Sequence, residues 1–129
     1  MEPRDLIVLT PPGEPEPSLA IAAGRAGARG VLDLEFASDP THTAGALARL
    51  ARFAPAGFGV KLGLDAVRFL SHLPPQLGCV ILSGNHPELS DTLRQARQTG
   101  AEVLIEAVSL PEAVRAVEAG ADGLILKGH

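Results

Sequence analysis

The sequence contains no Trp and no Tyr, only four Phe, and a single Cys in its 129 residues. With so few aromatic faces it has little on which to stack nucleic-acid bases. One cysteine, Cys79, excludes an internal disulfide, and its place in an apolar run reads as a small core residue rather than a reactive thiol. No basic cluster is visible and the net charge is −4, which argues against binding phosphate backbones. No apolar run approaches the ~20 residues a membrane span requires. Met1-Glu2-Pro3-Arg4-Asp5 lacks the basic and apolar regions of a signal peptide, so the expectation is a cytoplasmic chain with neither nucleic acid nor membrane as partner. Gly-x-Ser-x-Gly and the P-loop are absent. His42, His72, His86 and His129 show no metal-site spacing, and no metal is expected.

What is present is a hydrophobic fraction of 46%, enough for one domain, residues 1–129, with a real core. Gly100 to His129 shows how it is organised. An apolar run, Val103 to Val108, is followed by Ser109, an alanine-rich helical segment to Ala119, a Gly120 stop, and a second apolar run, Leu124 to Leu126. That is strand, cap, helix, stop, strand, and the two strands must be parallel. The unit repeats. Strands are expected to begin near residues 5, 30, 58, 78, 102 and 122, and Gly27-Ala28, Gly100-Ala101 and Gly120-Ala121 each end a helix and enter a strand. Between them the pattern predicts helices over 19–26, from Ser38-Asp39-Pro40 to about Ala54, over 65–72, and over 88–98. Pro11 to Pro17 is a stiff loop. The strands are apolar without alternation, which predicts burial on both faces. Two α/β architectures fit: a partial (β/α)8 barrel of about six strands with outer helices, not closed by this chain alone, or an open flavodoxin-like doubly wound sheet.

In both, ligands sit at the C-terminal ends of the strands. Those ends read Thr10, Glu35, Lys61, Ser83, Glu106 and Lys127. Two lysines and two glutamates on one rim either pair with each other or hold a ligand, and both readings stay open here. His42 and His72 read as solvated residues beside helix ends. His86 is in the turn after the fourth strand, on the same rim.

Three segments carry a family resemblance: Ser18 to Ala23 with Ala26-Gly27, Phe58-Gly59-Val60-Lys61-Leu62, and above all Glu112-Ala113 through Ala119-Gly120-Ala121-Asp122-Gly123 to Lys127-Gly128. In these the chain resembles the front of the nitronate monooxygenase (2-nitropropane dioxygenase) group of FMN-dependent barrel enzymes, especially versions embedded in bacterial polyketide and polyunsaturated fatty-acid synthases. A looser similarity extends to IMP dehydrogenase. The resemblance implies that Thr10-Pro11-Pro12-Gly13 lies against a flavin ring, that Lys61 faces the cofactor, and that Lys127 with Gly128 contacts it. It does not identify a catalytic residue. The family commonly has Asn where this chain has Lys61, and its glycine-rich loop with the catalytic His would follow His129, which is not that His. The phosphate-holding seventh and eighth strands would follow too.

The expectation is therefore a portion of an FMN-dependent oxidoreductase, with FMN bound in the complete protein and weakly or not at all by this chain. The implied partners are the remainder of the barrel or a second copy, and an acyl-carrier-bound substrate. The alternatives are a non-catalytic barrel module for docking or dimerisation and, on the doubly wound fold, a binding or signalling domain.

Overall fold

The computed structural model describes residues 6–13, 15–65 and 67–128, with the side chain of Val67 excepted. The readings of Met1 to Asp5 and of His129 lie outside the described residues. Eleven elements alternate: β1 Ile7–Leu9, α1 Ser18–Arg25, β2 Arg29–Asp33, α2 Pro40–Phe53, β3 Gly59–Lys61, α3 Val67–Leu70, β4 Cys79–Ser83, α4 Leu89–Arg97, β5 Glu102–Ala107, α5 Leu110–Ala119 and β6 Gly123–Leu126.

Local chemistry sets the ends. Asp39 caps α2, its carboxylate accepting from the N–H of Thr41 and His42 at 3.0 and 3.3 Å, and Pro40 occupies the first turn, where no donor is needed. Ser109 caps α5 by accepting from the Glu112 N–H at 3.3 Å, while the Glu112 carboxylate accepts from the Val108 N–H at 3.2 Å, a variant of the capping box. Gly120 closes α5 in the left-handed conformation, φ +92°. The same glycine joint recurs at Gly27 and Gly100. The third helix is shorter than its apolar spacing suggests. It covers only Val67–Leu70 and breaks into turns before Pro74-Pro75, which cannot continue a helix.

All six strands pair in parallel, in the order β1-β2-β3-β4-β5-β6. A doubly wound sheet reverses its order at a switch point so that helices cover both faces. This sheet never reverses. Right-handed crossovers then bring every helix to one side. The fold is a curled section of a (β/α)8-type barrel, and the flavodoxin-like alternative is excluded. On the convex side Leu32, Leu34, Val60, Leu62, Val80, Leu82, Val103 and Ile105 form one core with helix residues such as Ile21, Leu47, Leu50, Leu93 and Ala116. On the concave side Val31, Cys79, Ile81 and Leu104 make a smaller cluster with Ile7, Leu9 and Ile125.

Burial on both faces holds for β2 to β5. It fails for the outer strands: β1 is half-buried throughout, and on β6 Leu124 and Leu126 are 36% and 76% exposed. Each has a neighbour on one side only. The flank of α5 beside β6 is apolar as well, with Leu110, Val114 and Val117 exposed at helical spacing. Among the described residues no helix is long and apolar enough to cross a membrane.

Candidate functional site

Strand periodicity places the site. Side chains two apart share a face, so with Val31 on the concave side Asp33 is there too. The register pairs Asp33 with Lys61 on β3, and Ser83 on β4 with Glu106 on β5. Gly59 precedes Lys61 on the same face. A Cβ there would collide with the Cys79 Sγ and stand 3.2 Å from Val31 Cγ2, so β2 to β4 draw close only because this residue has no side chain.

At the C-terminal end of this face three carboxylates converge on one ammonium. Lys61 Nζ lies 3.0 Å from Glu35 Oε2, 3.2 Å from Glu106 Oε2 and 3.9 Å from Asp33 Oδ2. The Lys61 side chain is 7% exposed, Asp33 5%, Glu106 15% and Glu35 30%. Glu106 continues the chain, its Oε1 being 3.6 Å from Lys127 Nζ at the end of β6, whose side chain is 57% exposed. Asp33 is anchored from behind: its N–H donates to the Thr10 hydroxyl at 2.9 Å, and its Oδ1 accepts from the Glu35 N–H at 2.8 Å.

Burial pushes the Asp33 carboxyl above its ordinary pKa, outweighing the lowering by the Glu35 N–H and by Lys61. Burial alone would depress the Lys61 ammonium. Its hydrogen bonds to Glu35 and Glu106, with the nearby charge of Glu106 and Asp33, reverse this and raise it. Lys61 is therefore a fixed cation, unsuited to act as a nucleophilic amine near neutral pH.

Of the residues singled out from the sequence, Glu35, Lys61, Glu106 and Lys127 come together in one network. The lysines and glutamates pair with each other, and a pocket lies beside them. That pocket, about 490 Å3, is bounded by the loops after β2, β3 and β4 and is lined by Glu35, Phe36, Leu64, Asp65, Ser83 and Asn85 among others. Thr10 is buried and its hydroxyl is engaged with β2; Pro11 and Pro12 are exposed, Gly13 takes φ +112°, and Gly128 is exposed. His42 and His72 are exposed as expected. His86 is in the expected turn but is 3% exposed, with Nδ1 accepting from the Glu88 N–H at 3.1 Å and Nε2 without a partner. Arg115 of α5 fixes this turn by donating to the carbonyls of Gly84 and Pro87, both at 3.2 Å. Extending this strand to Glu35 passes over Asp33, which is the last residue of β2. The signal that finds it is the alternation Val31, Asp33, Glu35.

For a flavin these residues fit in part. Lys127, Pro11 and Pro12 are exposed and Gly13 is half-buried, so these residues are accessible to a ligand. Lys61 is not: its ammonium is enclosed by carboxylates. Lys127 differs from it: one contact of 3.6 Å to Glu106 leaves its side chain 57% exposed.

No family profile matches the sequence, and no curated protein is similar to it. Solved structures are similar in fold. FabK from Thermotoga maritima matches with a TM-score of 0.73 at 22% identity, over 93% of this chain and 39% of that one. A point mutant of the same FabK matches with a TM-score of 0.74, again at 22% identity, over 93% and 41%. The chain thus spans about two fifths of the length of these FabK chains.

Proposed function

We propose that this chain is the N-terminal portion of an FMN-dependent barrel oxidoreductase of the nitronate monooxygenase-like group, working in the cytoplasm within a polyketide or fatty-acid synthase on an acyl-carrier-bound substrate. The observation that carries the reading is the charged network at the C-terminal rim of an unreversed parallel sheet, the end at which barrels of this kind assemble their sites. The fold likeness to FabK and the resemblance of the Ala119 to Gly128 segment support it. The flavin, when bound, supplies the redox chemistry. The contacts of this chain to its ring come from Pro11 to Gly13, Lys127 and Gly128, and Lys61 acts through Glu106, holding the carboxylate that positions Lys127. The phosphate is held by polypeptide beyond these six strands, which also covers the open flanks of β1 and β6.

The test is to express the chain extended by two further βα units and record its visible absorption, with the 129-residue form alongside. Flavin close to stoichiometric in the extended form, and little in the short one, is the expected result. A well-folded extended protein that stays colourless and ignores added FMN would overturn the reading. A second reading, a non-catalytic barrel module used for docking, is favoured by one observation: Lys61 replaces the expected Asn and is locked among carboxylates. That colourless outcome would establish it as the better account.

A further inference from the structure

The charges of the rim network do not balance. Three carboxylates, Asp33, Glu35 and Glu106, face two ammonium groups, Lys61 and Lys127. The distances show how the pairs are shared out. Glu35 and Glu106 meet Lys61 at 3.0 and 3.2 Å, and the other oxygen of Glu106 meets Lys127 at 3.6 Å. Asp33 Oδ2 stands 3.9 Å from Lys61 Nζ, outside hydrogen-bond distance. Asp33 is also the most deeply buried of the three carboxylates. Among the described residues the charges that act on it are Lys61 of β3, Glu35 in the loop after β2 and Glu106 of β5, with Lys127 reaching the network through Glu106. Thr10, next to β1, offers an uncharged hydroxyl, and β4 brings the apolar Ile81 to this face. One contact favours the anion, the Glu35 N–H donated to Oδ1 at 2.8 Å. Burial, and after it the charges of Glu35 and Glu106, outweighs that contact and the pull of Lys61, so the carboxyl is held above its ordinary range.

We infer that Asp33 is a proton switch in this rim: it takes up one proton from solvent with the ion pairs around it intact, and the network passes from an excess of one negative charge to balance. The geometry selects Asp33 because its charge is the one left without a close counter-ion and the one most costly to keep from water. In the ionised form the excess charge opposes an anion approaching the exposed Lys127; in the protonated form that opposition is gone. The inference rests on the network alone and stands whether or not a flavin binds.

Carbon-13 NMR of the 129-residue chain, with the Asp33 carboxyl carbon assigned, follows the titration directly. The Asp33 midpoint is expected above that of the same carboxyl in the urea-unfolded chain, and above the ordinary Asp value of about 3.9. Glu106→Gln removes one like charge and should lower that midpoint. Thermal unfolding gives a second readout by linkage. A carboxyl whose pKa is raised on folding adds stability as pH falls from its folded value toward its unfolded one. The parent should therefore gain Tm relative to Asp33→Asn as pH is lowered from about 7 to about 4. A folded midpoint at or below the unfolded one would overturn the inference. So would a midpoint unmoved in a folded Glu106→Gln, or a Tm difference from Asp33→Asn that stays constant over that range.

Discussion

Lys61→Met keeps the unbranched apolar stem of the side chain and removes its charged end. In the protein, Lys61 Nζ is 3.0 and 3.2 Å from the nearest oxygens of Glu35 and Glu106. At an effective dielectric of about 20, each contact is a gross attraction of about 5 kcal/mol. Most of this is offset by the desolvation of ions brought to 7% and 15% exposure, and the Glu35 contact must be discounted further because that side chain is 30% exposed. The net value of the pairs is small, but the cost of breaking them is not, since the variant leaves three carboxylates facing one another. The expected loss is about 3–5 kcal/mol, or about 10–20 °C in Tm for a chain of this size. Thermal unfolding followed by far-ultraviolet circular dichroism measures it. Adding Glu35→Gln and Glu106→Gln to Lys61→Met should restore at least half of the loss, because the amides need no counter-ion. A Lys61→Met protein within about 1 kcal/mol of the parent would refute the reasoning, and so would a triple variant no more stable than the single one.

Alkaline titration offers a cleaner readout than usual, because the chain has no Tyr and its only lysines are Lys61 and Lys127. The Lys61 pKa is raised on folding, so its stabilisation is fully present below the unfolded value and is lost as pH rises through the folded one. The Cys79 thiol, pushed up by burial, also favours the folded state less as pH climbs above the ordinary thiol range. In a Cys79→Ala background, Tm should hold to about pH 10 and then fall, and this late fall should vanish in Lys61→Met; an unchanged alkaline limb would count against the buried ammonium. At the open flank, Val117→Lys with Leu126→Lys should reduce self-association in light scattering at a stability cost of about 0.5 kcal/mol or less, since both side chains are mostly exposed. Unchanged association would mean that copies meet through another surface.

The repeat was legible because each joint has strong local chemistry. Ser109, Asp39 and Gly120 mark helix ends in any tertiary setting, and the runs Val80-Ile81-Leu82 and Val103-Leu104-Ile105 have no polar residue to turn outward. The choice of barrel over open sheet was not legible in the repeat itself, because it depends on strand order, a property of long-range pairing; the resemblance carried by the Ala119 to Gly128 segment pointed to the barrel, and the sheet order bears it out. The rim was half legible. Glu35, Lys61, Glu106 and Lys127 stand at strand ends, but no spacing along the chain says that Glu106 reaches Lys61 across the whole width of β4. That requires the register Lys61↔Ile81↔Leu104 and the inward curl of the sheet. The burial of His86 depends in the same way on α5, whose Arg115 clamps the turn from 28 residues away.

The concave face has three layers, and their differences bear on what the rim is for. At its N-terminal end Arg29 and Glu102 pair at 3.3 Å with side chains 30% and 44% exposed, a surface ion pair worth about 0–1 kcal/mol. The middle layer, Val31, Cys79, Ile81 and Leu104, is apolar and buried. The upper layer puts Asp33, Lys61 and Glu106 at 5–15% exposure on the next positions of the same strands. Apolar residues pack in the middle layer, and well-packed apolar groups in place of a buried ion cluster are commonly neutral or stabilising by about 1–4 kcal/mol. Stability therefore does not explain why the charges are there. A cluster that is costly to bury, tied to strands on both sides of β4 and opening beside a pocket, has the properties of a site held ready for a ligand: its groups are fixed before binding, and the desolvation has been met by the fold.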